Sequence, residues 1–285
     1  MHLLDNIFGR SFFMNKTSTA RKLTESAVLL AIATVLSFVK IADLPYGGSV
    51  TIASMLPIVL ISYRYGIRWG LLSGLAYAAL QQLFGLNTLS YATSAQAMIA
   101  IILLDYIIAF TVAGLGGVFR KKLSQPQALV LGGLLVCLLR FICHVISGAT
   151  VWAGLSIPDE AALLYSLGYN ATYMAPETII LMVVAYYLGS VLDFGSENLR
   201  PYRAANSQNS KLPVTKWVGG IVIAAAACFD TVMIFSKLQN AETGEFDITG
   251  LASVSWIWVA VISACAAVAG AVLLTISARK NTAAA

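Results

Sequence analysis

Apolar residues fill this chain in eight stretches, near 23–42, 51–65, 68–86, 94–119, 127–154, 161–192, 216–236 and 251–277, separated by polar breaks. A helix needs roughly 20 apolar residues to cross a bilayer, and fewer when it is buried among others. Each stretch is therefore read as a helix. The second is short and interrupted by Pro57, and the sixth is long enough to tilt or to extend past the bilayer. The expected fold class is all-α: a polytopic membrane protein with a six-helix bundle and two additional C-terminal transmembrane helices. A polar run with two prolines and a Ser/Asn cluster, DFGSENLRPYRAANSQNSKLPVTK, parts the two units. The expected organisation is an N-terminal segment 1–22, a membrane domain 23–192, a linker 193–215 and a two-helix appendage 216–285. No internal repeat is evident.

Composition agrees with this pattern. The 285 residues are 59% hydrophobic and 11% charged, with a mean hydropathy of +0.81, whereas a soluble chain is about a quarter charged. In a soluble domain a net charge of +5 would suggest nucleic acid. Here its distribution along the chain instead sets orientation, and no nucleic-acid partner is expected. Of 18 basic residues only Lys40, Arg140 and Lys237 fall away from the side holding the N-terminus. The opposite loops carry Asp43, Asp159, Glu160, Glu242, Glu245 and Asp247. By the positive-inside rule both termini face the cytoplasm, and the lipid bilayer of the cell membrane is the expected location. The first twenty-two residues are mixed and basic, with no signal-peptide pattern, and Met14 would itself serve as a start. Cys137, Cys143, Cys228 and Cys265 lie in apolar runs without metal-type spacing, so they read as small core residues.

Polar groups inside apolar helices are costly and usually face a cavity. Asp105, His144, Trp152, Tyr165 and Asn170 lie on three different helices. At 1.5 Å per residue, His144 stands about 25 Å from the inner end of the fifth helix and Asp105 roughly 15 Å below the outer start of the fourth. All five converge on the outer half of the bundle. Each has a plainer reading: belt aromatics for Trp152 and Tyr165, a core histidine for His144, interhelical glue for Asn170. Asn170-Ala-Thr172 also fits a glycosylation sequon, a chance match within a helix. Arg140 and Glu177 share helix faces with His144 and Asn170 and act as supporting intramembrane charges. Two carboxylates against one guanidinium leave about one negative charge, which either a protonated acid or a monovalent cationic ligand would settle. In the first helix, Ala27 and Ala31, with Ala33 beside them, form a small-xxx-small face suited to close helix approach or to ordinary internal packing.

These segments carry a resemblance. LTESAVLLAIATVLSF, GGSVTIASMLPIVLISYRYGIRWGLLSG, LLDYIIAF, RFICHVISGATVW and LYSLGYN, in this order, resemble the thiamine-specific substrate-binding (S) subunits of energy-coupling-factor (ECF) transporters over about residues 20–192. The HxxxG of His144 and Gly148, followed by Trp152 and YSLxxN, is the specific part. The resemblance implies a six-helix subunit that captures thiamine from outside, needs no cofactor, and works with a membrane scaffold subunit and two cytoplasmic ATPases. It implies ligand contacts at Asp105, Tyr106, His144, Gly148, Trp152, Tyr165 and Asn170, and scaffold docking through Ala27 and Ala31. Family members can carry a tryptophan in the first outer loop, where this chain has Gly47-Gly48. The loop between the third and fourth helices aligns poorly and offers Tyr91 as a contact. The seventh and eighth helices depart from the pattern.

Thiamine's cationic thiazolium, flat aminopyrimidine and hydroxyethyl tail suit these groups. Asp105 would offset the cation or bond the amino group, and phosphorylated forms would bring negative charge towards it. The chain has no GxxxxGK[ST] loop, so ATP would be hydrolysed by partners. The competing reading is a self-sufficient secondary transporter using Asp105, Arg140 and Glu177 as a charge relay. A membrane enzyme using Asp105 and His144 as acid and base is disfavoured, because no nucleophile elbow or HExxH accompanies them; no catalytic or metal residue is assigned.

Overall fold

The computed structural model describes residues 18–44, 47–153, 162–202, 214–238 and 248–283. Outside these lie residues 1–17 of the N-terminal segment, residues 203–213 of the linker, and the outer-loop acids Asp159, Glu160, Glu242, Glu245 and Asp247. Ser18 caps the first helix by accepting a hydrogen bond from Arg21 N, and α1 runs from Thr19 to Phe38. It stops short of the expected residue 42. Lys40–Asp43 (β1) instead pairs antiparallel with Ser49–Thr51 (β2), so a hairpin replaces the last turn. Gly47 has φ +111°, a conformation that favours glycine. Helix α2 covers Leu56–Tyr65, with Pro57 in its first turn. The proline thus opens this helix and does not interrupt it, because its missing N–H has no intrahelical partner there.

Helix α3 (Ile67–Phe84) leads to a 3₁₀ turn at Leu86–Tyr91. The fourth span, Ala95–Gly117, is called α4 here although it is α-helical only in part. Its middle, Ile101–Ile108, is π-helical and its end, Val112–Gly117, is 3₁₀. The periodic apolar pattern predicts a regular helix here, and π turns of this kind often mark functional sites. Then follow α5 (Gln125–Thr150), α6 (Ala162–Val191), a small β3–β4 ladder (Leu192–Asp193 with Arg200–Pro201), α7 (Val214–Leu238) and α8 (Trp256–Ala283). Among the described residues, α4, α5, α6 and Val218–Leu238 of α7 are long and apolar enough to cross a membrane. Helix α2, at ten residues, is too short to do so unaided.

Glycines let the helices touch backbone to backbone. A Cβ on Gly70 would stand 2.6 Å from the Gly114 carbonyl oxygen, and one on Gly74 would stand 2.7 Å from that of Thr111. Around this crossing sits a core that includes Ile58, Val59, Tyr77, Leu129 and Leu181. A second cluster joins Leu44 and Val50 of the hairpin region, Tyr173, Met174 and Ile180 of α6, and Ala227 and Phe235 of α7. Helix α7 therefore packs on the six-helix part and braces its hairpin; α8 packs on α7. At the opposite end, the Arg64 guanidinium is buried against Glu25 of α1 (2.7 Å) and donates to the carbonyls of Phe194, Ser196 and Glu197.

Ala27 and Ala31 are exposed beside exposed Val28, Ile32 and Val35, on the outward face of α1. Ala33 does not share that face. It is fully buried, and its carbonyl accepts from Tyr77 OH at 3.2 Å. The small-residue face is thus Ala27 and Ala31 alone, because Ala33 lies about 200° from Ala31 around the helix.

Candidate binding site

Asp105 sits in the π-helical turn of α4, where the wider winding shares the site between α4 and its neighbours. Three neutral donors converge on its carboxylate. His144 Nδ1 lies 3.0 Å from Oδ1, while Ser147 Oγ and Trp152 Nε1 donate to Oδ2 at 2.7 and 3.1 Å. His144 and Ser147 are one turn apart on α5, and Trp152 follows just after that helix ends at Thr150. An ionised carboxylate only accepts hydrogen bonds, so His144 donates through Nδ1, and in the neutral ring Nε2 is then left as an acceptor. Nε2 is buried and has no protein partner.

Asn170 on α6 completes this wall. Its Nδ2 donates to Ser166 O at 2.9 Å and to His144 O at 3.3 Å, and its Oδ1 accepts from Tyr173 OH at 2.7 Å. The Tyr106 hydroxyl donates to Gly85 O at 3.2 Å, which ties α4 to the end of α3. These groups border a cavity of about 410 Å³, within the range of small-molecule sites. Asp105, Tyr106, Arg140, His144, Gly148, Trp152, Asn170 and Glu177 all line it. Tyr165 is not in the lining. It packs with Trp152 and Ile101 and supports the tryptophan from behind. A position one turn into α6 gives the right depth but not the direction in which the side chain points.

Several residues of the site escaped the sequence reading. Tyr173 follows Asn170 by three positions and so shares its helix face; its ring lies 6.5 Å from that of His144. The same spacing, applied from His144, would have found Ser147. Tyr91, which the sequence reading did offer as a contact, lines the cavity with its ring 6.0 Å from Trp152. In the loop between β1 and β2, a Cβ on Gly48 would stand 2.9 Å from Tyr169 OH and 3.0 Å from the Tyr173 ring. The α6 tyrosines fill the space that an aromatic in that loop would need.

The charged lining residues form two pairs with one remainder. Lys40 Nζ meets Asp43 at 2.9 Å, and Arg140 Nη1 stands 3.9 Å from Glu177 Oε1. Asp105 has only the neutral donors just described when His144 is neutral. The walls therefore carry one formal negative charge, from three carboxylates against two cations. No group of three or more metal-ligating side chains occurs among the described residues.

A family model described as "Thiamine transporter protein" matches residues 23–193 of this chain. The chain belongs to this family. The thiamine transporter family consists of transport proteins, not enzymes, and the helical architecture described above is that of a membrane member. One relative, the thiamine transporter ThiT of Bacillus subtilis, is 35% identical over 187 residues, which is 60% of this chain and 91% of the relative. A solved structure of ThiT from Listeria monocytogenes aligns with a TM-score of 0.49 and 22% identity, over 59% of this chain and 92% of that one. Helices α7 and α8 lie outside the stretch that matches the thiamine transporter family.

Proposed function

We propose that this chain is the thiamine-capture subunit of an energy-coupling-factor transporter, with no ATPase activity of its own. The observation that carries this reading is the single uncompensated carboxylate, Asp105, in a cavity whose other carboxylates are paired with cations and whose lining includes several aromatic rings. A monovalent organic cation supplies the missing charge, and Trp152, Tyr91 and Tyr173 offer faces for cation–π and stacking contacts. The open acceptor at His144 Nε2 suits the exocyclic amino group of the pyrimidine. Placing the termini in the cytoplasm, as the charge distribution favours, opens the hairpin end of the cavity to the outside of the cell membrane.

The deciding experiment is a calorimetric titration of the purified protein with thiamine, where saturation at about one site is expected. Proteoliposomes holding this chain alone should show no gradient-driven uptake. Accumulation without ATPase subunits would instead favour the charge relay through Asp105, Arg140 and Glu177.

Docking to a scaffold subunit is assigned to the exposed Ala27–Ala31 face, which is flanked by apolar side chains and lies on the far side of α1 from buried Ala33. Ala27→Trp or Ala31→Trp should abolish co-purification with the scaffold and ATPase subunits. Thiamine affinity of the isolated variants should stay within about threefold, because neither alanine lines the cavity. A variant that loses affinity to the same degree as assembly would return these alanines to the packing of the fold.

A further inference from the structure

Arg140 is 6% exposed and lines the cavity, yet its Nε and Nη1 have no hydrogen-bond partner. Glu177 does not satisfy them. Its nearest oxygen stands 3.9 Å away and instead accepts from Thr51 Oγ1 at 2.8 Å, with the Ser54 hydroxyl beside it. The Phe110 ring covers the guanidinium, 4.9 Å from centroid to Cζ. A buried donor without an acceptor is destabilising, so two on one cavity wall mark a place where an acceptor arrives with the ligand. On α5, Arg140 precedes His144 by one turn, about 6 Å along the axis. One small two-ring molecule can therefore reach both the Asp105 cluster and Arg140.

We infer that the cavity holds a second polar subsite around Arg140, which takes an uncharged alcohol at the end of the ligand remote from Asp105. The oxygen of that alcohol accepts from the guanidinium, and its proton is donated towards Glu177. Arg140 and Glu177 cancel each other's charge, which matches a neutral group. A phosphate ester at the same place would face the carboxylate of Glu177. The inference rests on the thiamine reading and extends it: the hydroxyethyl tail is the alcohol, and this subsite makes the protein selective for it.

The test compares thiamine with its analogue carrying an ethyl group in place of hydroxyethyl, by calorimetry on the full-length protein. Wild-type protein should bind thiamine at least about tenfold more tightly than the analogue, because the analogue leaves the donors unpaired. Arg140→Met combined with Glu177→Gln, which leaves no lone buried charge, should bring that ratio below about threefold. Asp105→Asn should weaken both compounds and keep the ratio. Where the double variant does not fold, Arg140→Lys keeps the positive charge but loses the guanidinium fork, and the same drop in ratio is expected. An unchanged ratio in the folded variant, or equal binding of the two compounds by wild-type protein, overturns the subsite and leaves the thiamine reading standing. Absence of saturable binding of either compound overturns the thiamine reading and the subsite with it.

Discussion

Asp105→Asn should weaken thiamine binding by about 100-fold, equivalent to about 2.8 kcal/mol. Two effects add. The substitution removes the one charge in the cavity that the lining does not cancel, and it breaks the convergence of three donors on one acceptor group. An amide offers a single acceptor oxygen and turns an N–H₂ towards His144, Ser147 or Trp152, all of which already donate. Hydrogen bonds to charged groups are worth about 1.5–3 kcal/mol each, so the disturbance is large although the side chain keeps its shape. Thermal stability in detergent without ligand should fall as well, because these three bonds are made in the unliganded protein, and the further stabilisation by thiamine should disappear with the affinity. A dissociation constant within threefold of wild type would remove Asp105 from the binding site.

Gly114→Val should prevent folding. A Cβ at this position runs into the Gly70 and Leu71 backbone, and backbone cannot rotate aside as a side chain can. The Gly114 carbonyl is also the acceptor for Ser62 Oγ, so moving α4 outward to make room would break that bond between α2 and α4. Effects above about 4 kcal/mol are exceptional for single substitutions and arise at sites of this type. Size-exclusion profiles of detergent extracts should show aggregate in place of a monodisperse peak. A folded Gly114→Val protein that still binds thiamine would mean that the α3–α4 crossing opens easily. Gly195→Ala is the control, because an added Cβ there meets nothing closer than 3.4 Å.

The helices were legible because each apolar run is long and bounded by polar residues, and the intramembrane charges because a carboxylate between Leu104 and Tyr106 has no cheap environment in lipid. Depth along each helix sufficed to bring Asp105, His144, Trp152 and Asn170 together. Direction around the helix was harder to read. Tyr165 and Ala33 were both placed at the right height and on the wrong face. The π-helical turn of α4 left no trace in the sequence, since Ile, Leu and Tyr fill an α turn equally well. The hairpin at 40–51 was hidden because Ile41 and Ala42 continue the apolar run of α1. Arg140 and Glu177 were legible as supporting charges, but neither their pairing nor the 3.9 Å gap that leaves the guanidinium donors open could be read from the sequence.

The Arg64 anchor has a practical consequence for anyone trimming this chain. The family match ends at residue 193, yet the three carbonyls that hold the guanidinium belong to Phe194, Ser196 and Glu197. A fragment cut at the family boundary would take three acceptors from a nearly buried cation and leave it to Glu25 and Tyr65, beside α1, the helix that presents Ala27 and Ala31. The stretch that follows is fastened as well, through Arg200 to Asp193 and through Tyr202 N to Val191 O. Cleavage sites, tags and fusion joints for the six-helix part belong beyond Tyr202.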